Sequence, residues 1–159
     1  MSKQTDYTPE EWKTLVTAPV AAGLVITLSD MSGPIGLAKE AFAVAKGVSE
    51  STADASSELI KAIAESVKSR GSRPEIPNAP GSSPEIVRQV VIDLCKKACA
   101  IVKQKSPAEA DDYKRWLVSL AQRTADASKE GGFLGFGGTQ VSEAEGAALK
   151  EFTEALETS

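Results

Sequence analysis

The chain has 159 residues, of which 42% are hydrophobic, 25% charged and 5% aromatic, with a formal net charge of −4. That length suits one domain spanning 1–159 that buries roughly two-thirds of its unfolded surface, and the negative balance argues against a nucleic-acid binder, which normally carries a basic stripe. There is no histidine, which removes Ser-His-Asp and Cys-His catalysis, carboxylate–histidine di-iron sites and nearly every zinc hydrolase.

With so few aromatics the core rests on Ala, Leu, Ile and Val, side chains that favour close helix–helix packing. The expected fold class is all-α: a single compact bundle of about seven helices without a sheet. The first helix opens at Thr8-Pro9-Glu10-Glu11, where a hydroxyl caps, proline takes the first helical position and glutamate reaches back. Pro19 predicts a kink or a split before the apolar stretch 21–29. The run from Ala18 to Leu28 is too short to span a bilayer, and the polar start Met1-Ser-Lys-Gln-Thr-Asp-Tyr7 is no secretory signal. With only two cysteines, these features point to a reducing, cytoplasmic setting.

Asp30 to Gly33 reads as a turn, and Pro34 opens a helix to about Ala45. Gly47-Val-Ser-Glu-Ser51 then leads into a helix to about Ser69 with Leu59, Ile60, Ile63 and Val67 inward. Residues 70–83 hold three prolines and two glycines and form an irregular connection, either a hinge or an exposed loop. Ser83-Pro84-Glu85 starts the next helix, to about Lys103, with Ile86, Val87, Val90, Val91, Leu94, Ala98, Ile101 and Val102 on one broad face. That width predicts the central, most buried helix. Its basic residues Arg88, Lys96, Lys97, Lys103 and Lys105 alternate with apolar ones and read as a solvated face. Ser106-Pro107-Ala108-Glu109 starts a helix to about Ser128, with Trp116, Leu117, Leu120 and Ala121 inward; both tryptophans, Trp12 and Trp116, read as core or rim packing. The last helix begins at the capping box Ser142-Glu143-Ala144-Glu145 and carries Leu149, Phe152 and Leu156 as its stripe, with Glu151, Glu154 and Glu157 on a solvated face.

Chemistry is sparse. No Gly-x-x-x-x-Gly-Lys-Ser/Thr loop is present, and no recognisable catalytic motif remains, so the expectation is a protein that is not an enzyme. Cys95 and Cys99 are one turn apart, read first as buried thiols, with redox or metal roles as the alternatives. The distinctive segment is Gly131-Gly-Phe-Leu-Gly-Phe-Gly-Gly138. Glycine costs about 1 kcal/mol per helical site relative to alanine, so this is a loop, and an apolar one. Three readings stand: a phosphate cradle at a helix N-terminus; a finger docking Phe133, Leu134 and Phe136 on a protein partner or, less directly, a membrane surface; and a plug folded back into the core.

Two segments share a rhythm of apolar helix, Asp, loop and capped acidic helix: Ala21 to Asp30 with the helix bearing Lys39 and Glu40, and Trp116 to Asp126 with Val141-Ser-Glu-Ala-Glu145. A pseudo-symmetric helical domain would show this pattern. It resembles the bacterial tellurite-resistance TerB-like family, best over about 116–156, where Ala125-Asp126, Val141-Ser142 and Glu145 align with the family pattern. Met31 and Ala127 stand where that pattern has glycine after the aspartate, and the second loop is longer by about ten residues. The resemblance implies a Ca²⁺ or Mg²⁺ site at Asp126, Glu143 and Glu145, with Asp30 and Glu40 as its other half. The same residues are also explained as helix caps and dipole partners. The functional expectation is a non-enzymatic interaction or scaffolding module with an unidentified protein partner and no other cofactor. The alternative is a metal-binding stress protein of TerB-like type.

Overall fold

The computed structural model describes residues 3–27, 47–48, 50, 57–69, 84–130 and 143–158. Among these residues all regular structure is helical: a single 3-10 turn at Gln4–Asp6, then α1 (Pro9–Thr27), α2 (Glu58–Ser69), α3 (Pro84–Lys105), α4 (Pro107–Glu130) and α5 (Glu143–Glu157). Gly47, Val48 and Glu50 are helical too, so the expected lead-in at 47–51 is itself helical where described, and α2 begins later than expected, at Glu58 behind the non-helical Ser57, whose hydroxyl caps it. The expected turn at 30–33, the helix from Pro34 to Ala45 and the connection 70–83 lie outside the described residues.

Local chemistry accounts for the helix starts. At α1 the capping box is complete: Glu11 N–H donates to Thr8 Oγ1 at 3.2 Å and Thr8 N–H donates to Glu11 Oε2 at 2.8 Å. The α3 and α4 starts fall on Pro84 and Pro107 and that of α5 on Glu143, where the sequence puts them. Ser106 alone separates α3 from α4, its carbonyl accepting from Glu109 N–H at 2.9 Å.

Two further expectations are revised. First, of the kink or split expected at Pro19 the split does not occur, since α1 is one helix from Pro9 to Thr27. Proline has no N–H for the carbonyl four residues back, and its ring crowds that carbonyl. The orphaned group is that of Leu15, and the Tyr113 hydroxyl of α4 donates to it at 3.1 Å in the interior. A tertiary donor replaces the missing helical one.

Second, the central helix is α1, which packs against each of the other four. Leu15, Ala18, Ala21, Ala22 and Val25 are completely buried, and small side chains on several sides of one helix admit several neighbours. The inward line of α3 is Val91, Ile92, Cys95, Ala98, Cys99 and Val102, with Val87, Leu94 and Ile101 at its margin. Ile86 does not belong to that face: at 100° per residue it sits nearly opposite, and it is 55% exposed.

The remaining faces follow the sequence. Leu59, Ile60, Ile63, Ala64 and Val67 of α2 are buried, as are Trp116, Leu117, Leu120 and Ala121 of α4. In α5, Ala148, Phe152 and Leu156 are buried and Leu149 is half-buried. The two tryptophans are core residues, Trp12 packing 5.8 Å from Tyr7 and Trp116 packing 6.0 Å from Tyr113 between ring centroids. Among the described residues no helix is long and apolar enough to cross a membrane.

Candidate functional site

The apolar loop residues Phe133, Leu134 and Phe136 fall within 131–142, outside the described residues, as do Asp30 and Glu40. What is described is the frame on either side. The loop joins the end of α4 at Glu130 to the start of α5 at Glu143, and these two helices pack against each other. Asp126 lies in the closing turns of α4, while Glu143 and Glu145 lie in the first turn of α5. The side chains of these three are outside the described set. Among the described residues no group of three or more His, Cys, Asp or Glu side chains is arranged to hold a metal ion.

The polar side chains that the fold does bring together gather where α3 passes into α4. The Tyr7 hydroxyl and Ser106 Oγ share a hydrogen bond of 2.8 Å with both residues buried. Lys105, the last residue of α3, donates to the Asp6 carbonyl at 3.1 Å and pairs with Glu11 Oε2 at 2.7 Å, its ammonium 5.6 Å from the centre of the Tyr7 ring. The Lys105 hydrogen bond, then the backbone N–H of Thr8, hold the Glu11 carboxyl below its ordinary value of 4.5.

One turn further on, Glu109 serves a different helix. Its Oε1 accepts from Ser57 Oγ at 2.8 Å and from Leu59 N–H at 3.2 Å. Ser57 is the N-cap of α2, its own Oγ accepting from Ile60 N–H at 3.4 Å. A carboxylate from α4 therefore stands on the positive end of α2, 50 positions away in sequence, where the backbone dipole favours an anion.

The reactive side chains lie deeper. Cys95 and Cys99 are buried free thiols, and Cys95 Sγ donates to the Ala18 carbonyl at 3.6 Å. Burial, then the neighbouring Cys99, pushes Cys95 well above the ordinary thiol range. Burial raises Cys99 to about 11 against the opposing pull of Lys114. Tyr113 is likewise raised well above its ordinary value by burial first, then by the two thiols and Tyr7. All three are protonated at neutral pH, and burial disfavours the thiolate, the form that acts as nucleophile and metal ligand. The expected reading of the cysteines as core residues agrees with this geometry.

The basic residues of α3 behave as a solvated face: Lys96, Lys97 and Lys103 are exposed, while Arg88 pairs with Glu151 of α5 at 3.3 Å. On α5, Glu151, Glu154 and Glu157 are exposed. Comparison of the chain with family models, curated proteins and solved structures yields no match.

Sequence reasoning passed over Tyr7, Ser57, Lys105 and Tyr113 as functional groups and treated Glu109 only as a local cap. One signal was present. Pro19 inside an apolar helix leaves the Leu15 carbonyl in need of a donor, and the chain has only two tyrosines and two tryptophans to supply one from an aromatic side chain.

Proposed function

We propose that the chain is a non-enzymatic helical interaction or scaffolding module whose contact segment is the Phe133, Leu134 and Phe136 loop. The observation that carries this reading is the fate of Cys95 and Cys99, the plausible nucleophiles in a histidine-free chain: both thiols are buried in the core and held protonated. Large apolar side chains flanked by glycines, between two packed helices, are suited to docking on a protein partner. Within this reading the whole of 1–159 is one cytoplasmic domain, and seven helices in pseudo-symmetric array complete it.

The test is a Phe133→Ser, Phe136→Ser double variant, compared with wild type by size-exclusion chromatography with light scattering and by pull-down. The reading predicts a change in assembly or a lost partner at unchanged thermal stability. A drop in melting temperature with unchanged assembly and partners instead makes these side chains core plugs and removes the proposed contact surface.

A second reading is metal binding of the TerB-like kind at Asp126, Glu143 and Glu145, with Asp30 and Glu40 contributing. Its support is that α4 and α5 are packed together and that a single connection links the turns bearing the three carboxylates. Hard oxygen donors of this type suit Ca²⁺ or Mg²⁺. Thermal unfolding of the metal-stripped protein with millimolar Ca²⁺ or Mg²⁺ tests it, because a ligand of the native state raises stability by mass action. A rise that vanishes in Glu145→Gln supports the site, and no rise with either ion retires it.

A further inference from the structure

The segment Lys3–Tyr7 precedes Thr8, the cap of α1, and its internal structure is slight. One 3-10 turn is closed by Asp6 N–H to the Lys3 carbonyl at 2.9 Å and Tyr7 N–H to the Gln4 carbonyl at 3.2 Å, with the Asp6 carboxylate accepting from Lys3 N–H at 2.8 Å. A single turn of this kind does not persist on its own in water.

What holds the segment is tertiary, and it passes through two residues. Tyr7 packs its ring on Trp12 and joins its hydroxyl to Ser106, 99 positions away. Lys105 grips the Asp6 carbonyl and lies over the Tyr7 ring while paired with Glu11, and both partners of that pair are partly exposed, at 30% and 26%. Loss of these contacts would release the whole segment, yet it would break none of the hydrogen bonds within α3 or α4.

Beneath Tyr7 lies a second, independent feature. Trp12 is 2% exposed, and its indole Nε1–H has no hydrogen-bond partner among the described residues. A buried donor without an acceptor is destabilised relative to one that reaches water.

We propose that Lys3–Tyr7 is a strap that opens as a unit over Trp12 while the helices stay folded and Thr8 remains the cap of α1, with Lys105 as its latch. The open form presents the Trp12 ring, the Ser106 hydroxyl and the Lys105 ammonium, which the Tyr7 ring, the Tyr7 hydroxyl and the Asp6 carbonyl engage when it is closed. This device is independent of the 131–138 loop and stands or falls separately from it.

Native-state hydrogen exchange on the full wild-type chain, in rising sub-denaturing urea, tests the strap directly. The Asp6 and Tyr7 amides are expected to exchange at least about 100-fold faster than those of Leu117 and Leu120 in α4, with a rate nearly independent of urea, as local opening requires. In Lys105→Met the strap amides are expected to speed up by roughly tenfold while the α4 amides do not change. Trp12 is the only tryptophan left in a Trp116→Phe chain, and its quenching by acrylamide is expected to rise when Lys105→Met is added. Strap amides that share the protection and urea dependence of α4 would overturn the proposal, since the segment would then open only on global unfolding. Faster exchange without greater quenching would overturn it too, because opening would not uncover Trp12.

Discussion

Replacing Tyr113 with Phe removes one oxygen atom from the centre of the molecule and tests why α1 survives Pro19. The ring stays the same size, so packing against Trp116 is kept. What is lost is the donor to the Leu15 carbonyl at 3.1 Å, and Pro19 prevents the helix from supplying another. A net intramolecular hydrogen bond contributes about 1 kcal/mol, and leaving a buried acceptor unsatisfied brings the cost to about 1–3 kcal/mol. Urea unfolding followed by far-UV circular dichroism measures it, as a fall in midpoint at constant slope. The discriminating experiment is the cycle with Pro19→Ala, which restores an N–H to the Leu15 carbonyl. Against that background Tyr113→Phe is expected to cost less by about 1 kcal/mol, a coupling well above the additivity error of distant sites. Equal costs in the two backgrounds would refute the reasoning, because the hydroxyl would then not be standing in for the proline.

Phe152 is completely buried, and Phe152→Ala is expected to cost about 3–5 kcal/mol by chemical denaturation, as core aromatic truncations do. Glu109→Ala strips the N-terminus of α2 of its carboxylate acceptor; about 1–3 kcal/mol of stability should be lost, with hydrogen exchange rising first at Leu59 and Ile60. Glu11 has a depressed native pKa, so its contribution is fully present above the ordinary value of 4.5 and is lost as pH falls through the lower native one. An NMR titration of its carboxyl carbon should therefore show a midpoint below 4.5 in wild type that moves upward in Lys105→Met. Cys95 and Cys99, protonated in the core, should react with a thiol reagent at pH 8 only on the timescale of unfolding, and rapidly once urea is added.

Four of the five α-helix starts were legible because capping is local. Thr8-Pro9-Glu10-Glu11 contains its own donors and acceptors within four residues, and the bonds it predicts are the bonds that form. The same logic reached the start of α4 but missed the reach of its first turn: Ser106 Oγ meets Tyr7, and Glu109 Oε1 meets Ser57 and Leu59. A capping sequence fixes where a helix begins and leaves open which distant groups its side chains also meet. The face of α3 was legible only in part. A list of apolar positions made it broad, whereas the helical angle narrows it to the line through Val91, Cys95 and Val102 and turns Ile86 out to solvent. The candidate residues in the 131–138 loop were conspicuous for their composition, which speaks to backbone freedom and not to what the phenylalanines touch.

By itself, the sequence determined that the described residues are helical, where four of their five α-helices start and which stripe most of them bury, because propensity, caps and 3.6-residue periodicity act within a few residues. It also determined the absence of histidine chemistry. Only the tertiary structure decided that α1 is the central element, that a tyrosine 98 positions away supplies the donor Pro19 denies to the Leu15 carbonyl, and that Tyr7 and Lys105 tie the N-terminal segment to the α3–α4 junction. Those outcomes depend on which carbonyls and rings meet across the core, and a local pattern carries no record of its distant partner.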